Sequence, residues 1–273
     1  MKRILAGLAL TTAAALVTAA PAQAAPAQAA PVNPVKALKK QFVSGHGVKI
    51  SETSSMSSNG KSLGTSKSSA IIEFGKSGVV ASDVRSKASS KSMESLLSPQ
   101  RAITVGGYSY VQGGLYTEDL PEGKKWVRYR GTASGATYNQ VIDITRPKVL
   151  QTLISRAKGA KGGVYKGSLT YSDLAKAYGQ KLTGTLGKIK IDYALAVNSK
   201  GLVTTLKSDW GLDFGVLGKA QSSTTTRFSG WGAKVKIKAP AKSLWADVDS
   251  VPEDSEIPQE LPNSALDSLS SGN

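Results

Sequence analysis

Residues 188–197 read KIKIDYALAV, and their alternation leaves little besides a half-buried β-strand. Successive side chains of an extended chain point to opposite faces, so Ile189, Ile191, Tyr193, Leu195 and Val197 share one face and Lys188, Lys190 and Asp192 the other. Turn chemistry at NSKG (198–201) and renewed alternation in GLVTTLKSDW make the two segments a hairpin. The same reading predicts strands at VKISET, SAIIEFG, GVVASDVRS, RAITV, YSYVQGG, KWVRYRG, VYKGSLTY and SSTTTRFS. A last strand is predicted at AKVKIKA, with Val235 and Ile237 inward and Lys234, Lys236 and Lys238 outward. The serine-rich SETSSMSSNGKSLGTSKSS reads as a flexible loop joining two strands. Regular strands with Gly or Ser turns argue against repeated strand-helix-strand units.

Helices are few. In PVKALKKQFV, Val35, Leu38 and Phe42 fall on one side, opposite Lys36, Lys39 and Lys40. A second helix follows Thr145 as N-cap, with Pro147 in its first turn and Val149, Leu150, Leu153 and Ile154 as its apolar side. Ser172 caps a third, SDLAKAYG, closed by Gly179. So few helices cover only one face. The fold class is therefore mainly β (α+β): a single curved antiparallel sheet, a half-barrel, with a few helices packed on its concave face.

The ends of the chain set its domains. Residues 1–24 read as a signal peptide: Lys2 and Arg3, an apolar stretch from Ile4 to Val17, and a small-x-small box at Ala22-Gln23-Ala24. An Ala/Pro spacer occupies 25–33, and the domain runs from 34 to 245. Residues 246–273 form an acidic tail expected to be disordered, rich in Pro, Ser and Asn and free of Lys and Arg. Removing Lys2 and Arg3 leaves 33 basic residues against 19 acidic ones, and seven of the acids lie in that tail. The domain before it thus carries a net charge of +21, a field that attracts polyanions. An acidic arm can fold back over such a surface and compete for it. The chain has no cysteine, which rules out disulfides, thiolate chemistry and a lipid anchor on cysteine. The reading is a secreted protein of the extracellular space or cell envelope, with its signal peptide cleaved, no lipid anchor and no transmembrane helix.

A search for chemistry finds little. His46 is the sole histidine and stands at the start of a strand, so imidazole has no partners for a base or a metal site. Glu118, Asp119 and Glu122 cluster in TEDLPEGKK, a Pro- and Gly-bearing solvated loop. GGVYKGS lacks the lysine that a phosphate loop places after its last glycine, and the many serines have no base to activate them. No catalytic residue, metal ligand or cofactor is assigned, and the chain is read as a non-enzyme.

The order of elements, the VNSKGLV turn and the closing FSGWGAKVKIKAP resemble the actinobacterial lipoproteins of the LppX and LprG type, relatives of LolA-like carriers, over about residues 33–245. In place of their lipidated cysteine this chain has Ala24-Ala25. The resemblance implies a half-barrel whose concave face, roofed by helices, holds a lipid or other hydrophobic or amphiphilic ligand. The residues read as lining such a cavity are Ile72, Phe74, Ile103, Val105, Tyr108, Tyr110, Val127, Tyr129, Leu150, Leu153, Ile154, Ile191, Tyr193, Leu195 and Leu206; the plainer reading of the same set is a solid core. The function implied is a secreted carrier or binding protein, monomeric, with no nucleic-acid partner. The alternative is a cationic wall-associated module, binding or structural, that meets anionic polymers of the cell wall or the membrane surface through charge.

Overall fold

β1 (His46–Ser58) is the middle of the architecture, because it pairs on one side with β2 (Lys61–Gly75) and on the other with β11 (Lys219–Lys234), far away in sequence. This is a computed structural model, which describes residues 32–88, 99–131, 139–213, 215, 218–252 and 254–260. From β2 the sheet continues through β3 (Gly78–Ala88), β4 (Arg101–Val105), β5 (Tyr108–Gln112) and β6 (Trp126–Arg130). From β11 it continues through β10 (Val203–Asp213), β9 (Lys190–Val197), β8 (Val164–Thr170) and β7 (Ala157–Lys161). With β12 (Trp245–Asp247) added outside β6, it is one 12-stranded open sheet. Every pairing is antiparallel except β12 with β6. The half-barrel read from the sequence is the fold observed.

The serine-rich segment is not a loop. It forms the far halves of β1 and β2, joined by Asn59 (φ 50°) and Gly60 (φ 77°). Two successive positive φ values are what a tight hairpin turn demands, and Asn-Gly supplies them at least cost. Hydroxyl side chains on both faces hide the period-two pattern there. AKVKIKA is corrected too: β11 stops at Lys234, and Val235 leaves the ladder to donate its N–H to the Gly45 carbonyl at 2.9 Å. Its alternation survives in burial alone, with Val235 and Ile237 half-buried and the lysines exposed.

Helices α1 (Pro34–Lys39), α2 (Pro147–Arg156) and α3 (Tyr171–Tyr178) and the short turn α4 (Gly184–Gly187) accompany the sheet. Two expected caps shift by a residue or more. Arg146, not Thr145, precedes α2; Thr145 instead bonds the Asp143 carboxylate through its backbone N–H at 2.9 Å and its hydroxyl at 2.5 Å. The cap of α3 is Thr170 rather than Ser172, in a reciprocal capping box with Asp173. Gly179 closes α3 at φ 83°, as read. Leu38, Val149, Leu150, Leu153, Tyr171 and Leu174 pack with Val48, Ile72, Leu195 and Leu206 of the sheet, so the helices roof one face.

The largest departure concerns the acidic tail. After β11 the chain runs as a strap: Ile237 N–H donates to Glu73 at 2.7 Å and Lys125 N–H to Leu244 O at 2.8 Å, before β12 pairs with β6. The chain then turns onto the roofed face, where Val248, Val251 and Ile257 are buried with Ala102, Val111, Val127 and Tyr129. The Tyr129 hydroxyl donates to the Pro258 carbonyl at 2.6 Å, and Arg128 holds the Asp247 carboxylate with two bonds. The boundary expected at 245 is therefore too early, and residues 245–252 and 254–260 are part of the packed domain. Three apolar side chains spaced through an acidic segment suffice to seat it. Residues 1–31 and 261–273, with the signal peptide, most of the spacer and the end of the tail, lie outside the described residues. No helix among the described residues is long and apolar enough to cross a membrane.

Truncation after Asp247 should destabilise the protein rather than only expose its basic surface. Ile257→Ala alone should cost about 2–4 kcal/mol in denaturant unfolding, while an unchanged midpoint would show the tail to be dispensable.

Candidate functional site: the concave face and its roof

Residues directly opposite one another in an antiparallel ladder share a face, so the register assigns every side chain. Val84 pairs with Ala70 and Ala102, Ala102 with Val111, and Val111 with Val127, which puts these on the roofed, concave face. Ile103, Val105, Tyr108 and Tyr110 fall on the other face. The fifteen residues read as one cavity lining are thus divided. Ile72, Phe74, Leu150, Leu153, Ile191, Tyr193, Leu195 and Leu206 meet in the main core, with half-buried Ile154 against it. Val127 and Tyr129 meet beneath the tail. Ile103 and Tyr110 cluster with Trp126, flanked by Val105 and Tyr108, under Ile237, Leu244 and Trp245 of the strap.

That convex cluster is stitched by charge. The Arg128 guanidinium lies 3.9 Å from the Trp245 ring centre and 4.5 Å from that of Tyr108, within the range of a cation-π contact. Arg101 holds Asp83 at 2.9 and 2.7 Å and lies 5.3 Å over Trp126. This group locks the strap to the sheet.

The concave face is itself two-part. Its apolar half is filled by side chains: Ile72, Phe74, Leu150, Leu153, Leu195 and Leu206 all have 0% exposure, so no water-sized void touches them. Toward the β1-β2 turn the same face becomes polar, and Glu52, Ser54, Ser68, Ser208, Thr224 and Thr226 are buried there. Ser68 and Thr226 each donate to the Glu52 carboxylate at 3.2 Å. Gln140 crosses above, donating to Thr226 at 3.1 Å and accepting from Ser208 at 2.8 Å. A buried carboxylate needs such donors, and a hydroxyl row supplies them.

At the border of the two halves stands Tyr171, the first residue of α3. It is 0% exposed, its ring meets Trp210 edge-on at 5.8 Å, and its hydroxyl has no hydrogen-bond partner among the described residues. Burial raises its pKa well above the ordinary tyrosine value, so the ring stays neutral. Tyr193, by contrast, donates to the Leu153 carbonyl at 2.5 Å, and burial pushes it up to about 12. The Ser86 hydroxyl, whose residue is paired in register with Ser68 on the same face, also lacks a partner among the described residues. A hollow of about 670 Å³ lies at the far ends of β1 and β9–β11, bordered by Met56, Trp210 and Ser222 on the concave side and by Asp192, Asp209 and Ser223 on the convex side. A second, of about 420 Å³, lies by the TEDLPEGKK loop between Gln112 and Lys124, with Glu118 in its wall. Asp119 there accepts the Glu256 N–H at 2.9 Å, so one of the three loop acids serves to hold the tail.

Sequence reasoning missed Tyr171, Trp210 and Glu52. Glu52 is legible within VKISET itself, since with period two it shares the face of Val48 and Ile50 and is buried with them. No comparable signal marks the Tyr171 hydroxyl, because its isolation depends on which neighbours the roof brings. His46 has only a 3.3 Å contact from its ring to the Ser44 carbonyl, and no group of three metal-ligating side chains occurs among the described residues.

No protein-family model and no curated protein sequence matches the chain. Among solved structures, a LolA superfamily protein, NE2245 from Nitrosomonas europaea, is similar at 9% identity, covering 76% of this chain and 93% of that one, with a TM-score of 0.28. A DUF1329 family protein from Desulfovibrio piger ATCC 29098 is similar at 12% identity over 76% and 96% of the two chains, with a TM-score of 0.23. Neither is described as of the LppX or LprG type.

The roof's firmness has a titratable part. Burial alone would raise the Asp173 carboxyl, but the Thr170 N–H and hydroxyl, each at 2.9 Å, with Arg156 and Lys176 nearby, outweigh it and hold the pKa below the ordinary value. A depressed carboxylate stabilises the fold above its unfolded pKa and loses that contribution as pH falls through the folded one. Asp173→Asn should therefore cost about 1 kcal/mol at neutral pH, with the gap to the parent closing below about pH 4. A gap independent of pH in urea unfolding would remove the charge from the account.

Proposed function

We propose that the protein is a non-enzymatic carrier or binding protein for an amphiphile, exported and free of a lipid anchor. The observation that carries this reading is the border at Tyr171: a buried, unpartnered hydroxyl where the concave face passes from apolar side chains to a hydroxyl row. Leaving such a group unsatisfied costs about 1–3 kcal/mol, and a ligand whose polar group reaches it would recover that cost. The apolar half is closed in this state, so a chain of the ligand enters by displacing roof side chains, and the hollow beside Trp210 and Met56 is the approach. The phrases that resemble the LppX and LprG type support the same reading, with ligand identity left to experiment. No catalytic constellation is named among the described residues, and no reaction is assigned.

Mass spectrometry of an organic extract of the protein secreted by its own host should find an amphiphile at near-stoichiometric amount, missing from an unrelated exported control. An extract indistinguishable from the control overturns the reading. Tyr171→Phe separates the two roles of the hydroxyl: without ligand the variant should be more stable than the parent by about 1 kcal/mol, yet should bind the extracted amphiphile more weakly. A gain in stability with unaltered binding would assign the hydroxyl to the core alone.

A further inference from the structure

We propose that the convex face of the sheet is a track for a linear phosphate polyanion. The register lays two rows of side chains across seven strands, from β3 to β8. One row runs Lys87, Lys67, Thr53, Thr225, Lys207 and on through Ala194 to Lys166. The next runs Arg85, Ser69, Ser51, Arg227, Thr205 and Ala196 and ends, past its last cation, at half-buried Val164. At about 4.8 Å per strand the first row spans about 29 Å.

Neither row holds an acidic residue. Lys67, Lys87, Lys166 and Arg227 are exposed, and none has a carboxylate within ion-pair distance among the described residues. Of the nearest carboxylates, Asp83 is held by Arg101 at 2.7 Å and lies 3.9 Å from Arg85; Asp209, bridged by Lys207 at 3.2 Å, and the exposed Asp192 opposite it lie one row away. Described tail acids go to the β6 side, where the strap also marks the end of the open face.

Between the cations stand hydroxyls and alanines, so a chain can lie close to the sheet and receive hydrogen bonds as well as charge. No aromatic ring lies in either row, which leaves bases nothing to stack on. No bulky apolar side chain stands between the cations, so a bilayer has little to receive. Cations in a line with hydroxyls between them suit a chain of phosphates, each contact displacing counterions. This face is the reverse of the one assigned to the amphiphile, and the two proposals stand or fall separately.

The test is titration of the secreted chain with long-chain inorganic polyphosphate, tripolyphosphate and orthophosphate at two salt concentrations. Affinity should rise with chain length and fall steeply with salt. Lys67→Glu with Lys207→Glu should weaken long-chain binding by about tenfold or more, and Lys67→Gln with Lys207→Gln should do so by less while keeping the fold. The matched reversal on α1, Lys36→Glu with Lys39→Glu, should leave binding near the parent value. Equal loss in both reversals would reduce the effect to net charge. Orthophosphate binding as tightly as the polymer, or preferential capture by phosphatidylglycerol vesicles, would also overturn the track.

Discussion

The register between β1 and its two partners governs everything else in this molecule. Ile50 faces Phe228 and Ala70, and Glu52 faces Thr226 and Ser68. A slip by one residue would exchange that set for Lys49, Ser51 and Thr53, because the side-chain period is two. The roof would then rest on lysine, and the hydroxyl row would turn to solvent. Register is pinned at both ends. Asn59 exchanges backbone and side-chain bonds with Lys219 at 2.8 and 2.7 Å, and near the start a bulge between Gly47 and Lys49 brings the Ile72 carbonyl and Val235 so close to Gly47 that a Cβ there would collide with both. The glycine admits the strap where it crosses the sheet.

From that register follows a division of labour between the faces. The concave face carries apolar mass under helices and then hydroxyls around one buried carboxylate. The convex face carries cations over most strands and, over β4–β6, an aromatic patch hidden by the strap. An exposed patch containing Ile103, Tyr108, Tyr110 and Trp126 would be an aggregation hazard, and an uncovered β6 would offer a free edge. The strap and β12 remove both at once, with Arg128 as the common anchor: it stacks between Tyr108 and Trp245 and bonds Asp247.

How much of this the sequence discloses depends on how far each feature is local. Strands whose faces differ in polarity, such as RAITV and KIKIDYALAV, are legible because the pattern is carried by neighbours two apart, and RAITV is observed at the bounds read. The half-barrel follows from those strands and the shortage of helices. The far halves of β1 and β2 were obscured because serine and threonine suit either face, although the Asn-Gly turn was there to be weighed. The lining set is divided between the faces for another reason. Tyr108 and Tyr110 alternate as well as Ile191 and Tyr193 do, but alternation says only that residues share a face, and which face is concave is settled by pairings with β3 and β1, more than twenty residues away. Composition misled at the tail, where burial of Val248, Val251 and Ile257 overrides the acidic average.

The same segment explains how a strongly basic surface stays open beside the described tail acids, Asp247, Asp249, Asp254, Glu256 and Glu260. An arm of free acidic residues next to a cationic face would lie on it, since opposite charges within a Debye length of about 8–10 Å attract. Here the strap carries the chain away before its acids begin. Asp247 is taken by Arg128, and apolar residues then draw 248–252 and 254–258 around the β6 edge to the concave side. Packing therefore sets where the described charge goes: a few apolar contacts, each with about 1.5–3 kcal/mol available from burial, outweigh exposed ion pairs of about 0–1 kcal/mol. The cationic rows stay clear of these acids because hydrophobic side chains hold them elsewhere.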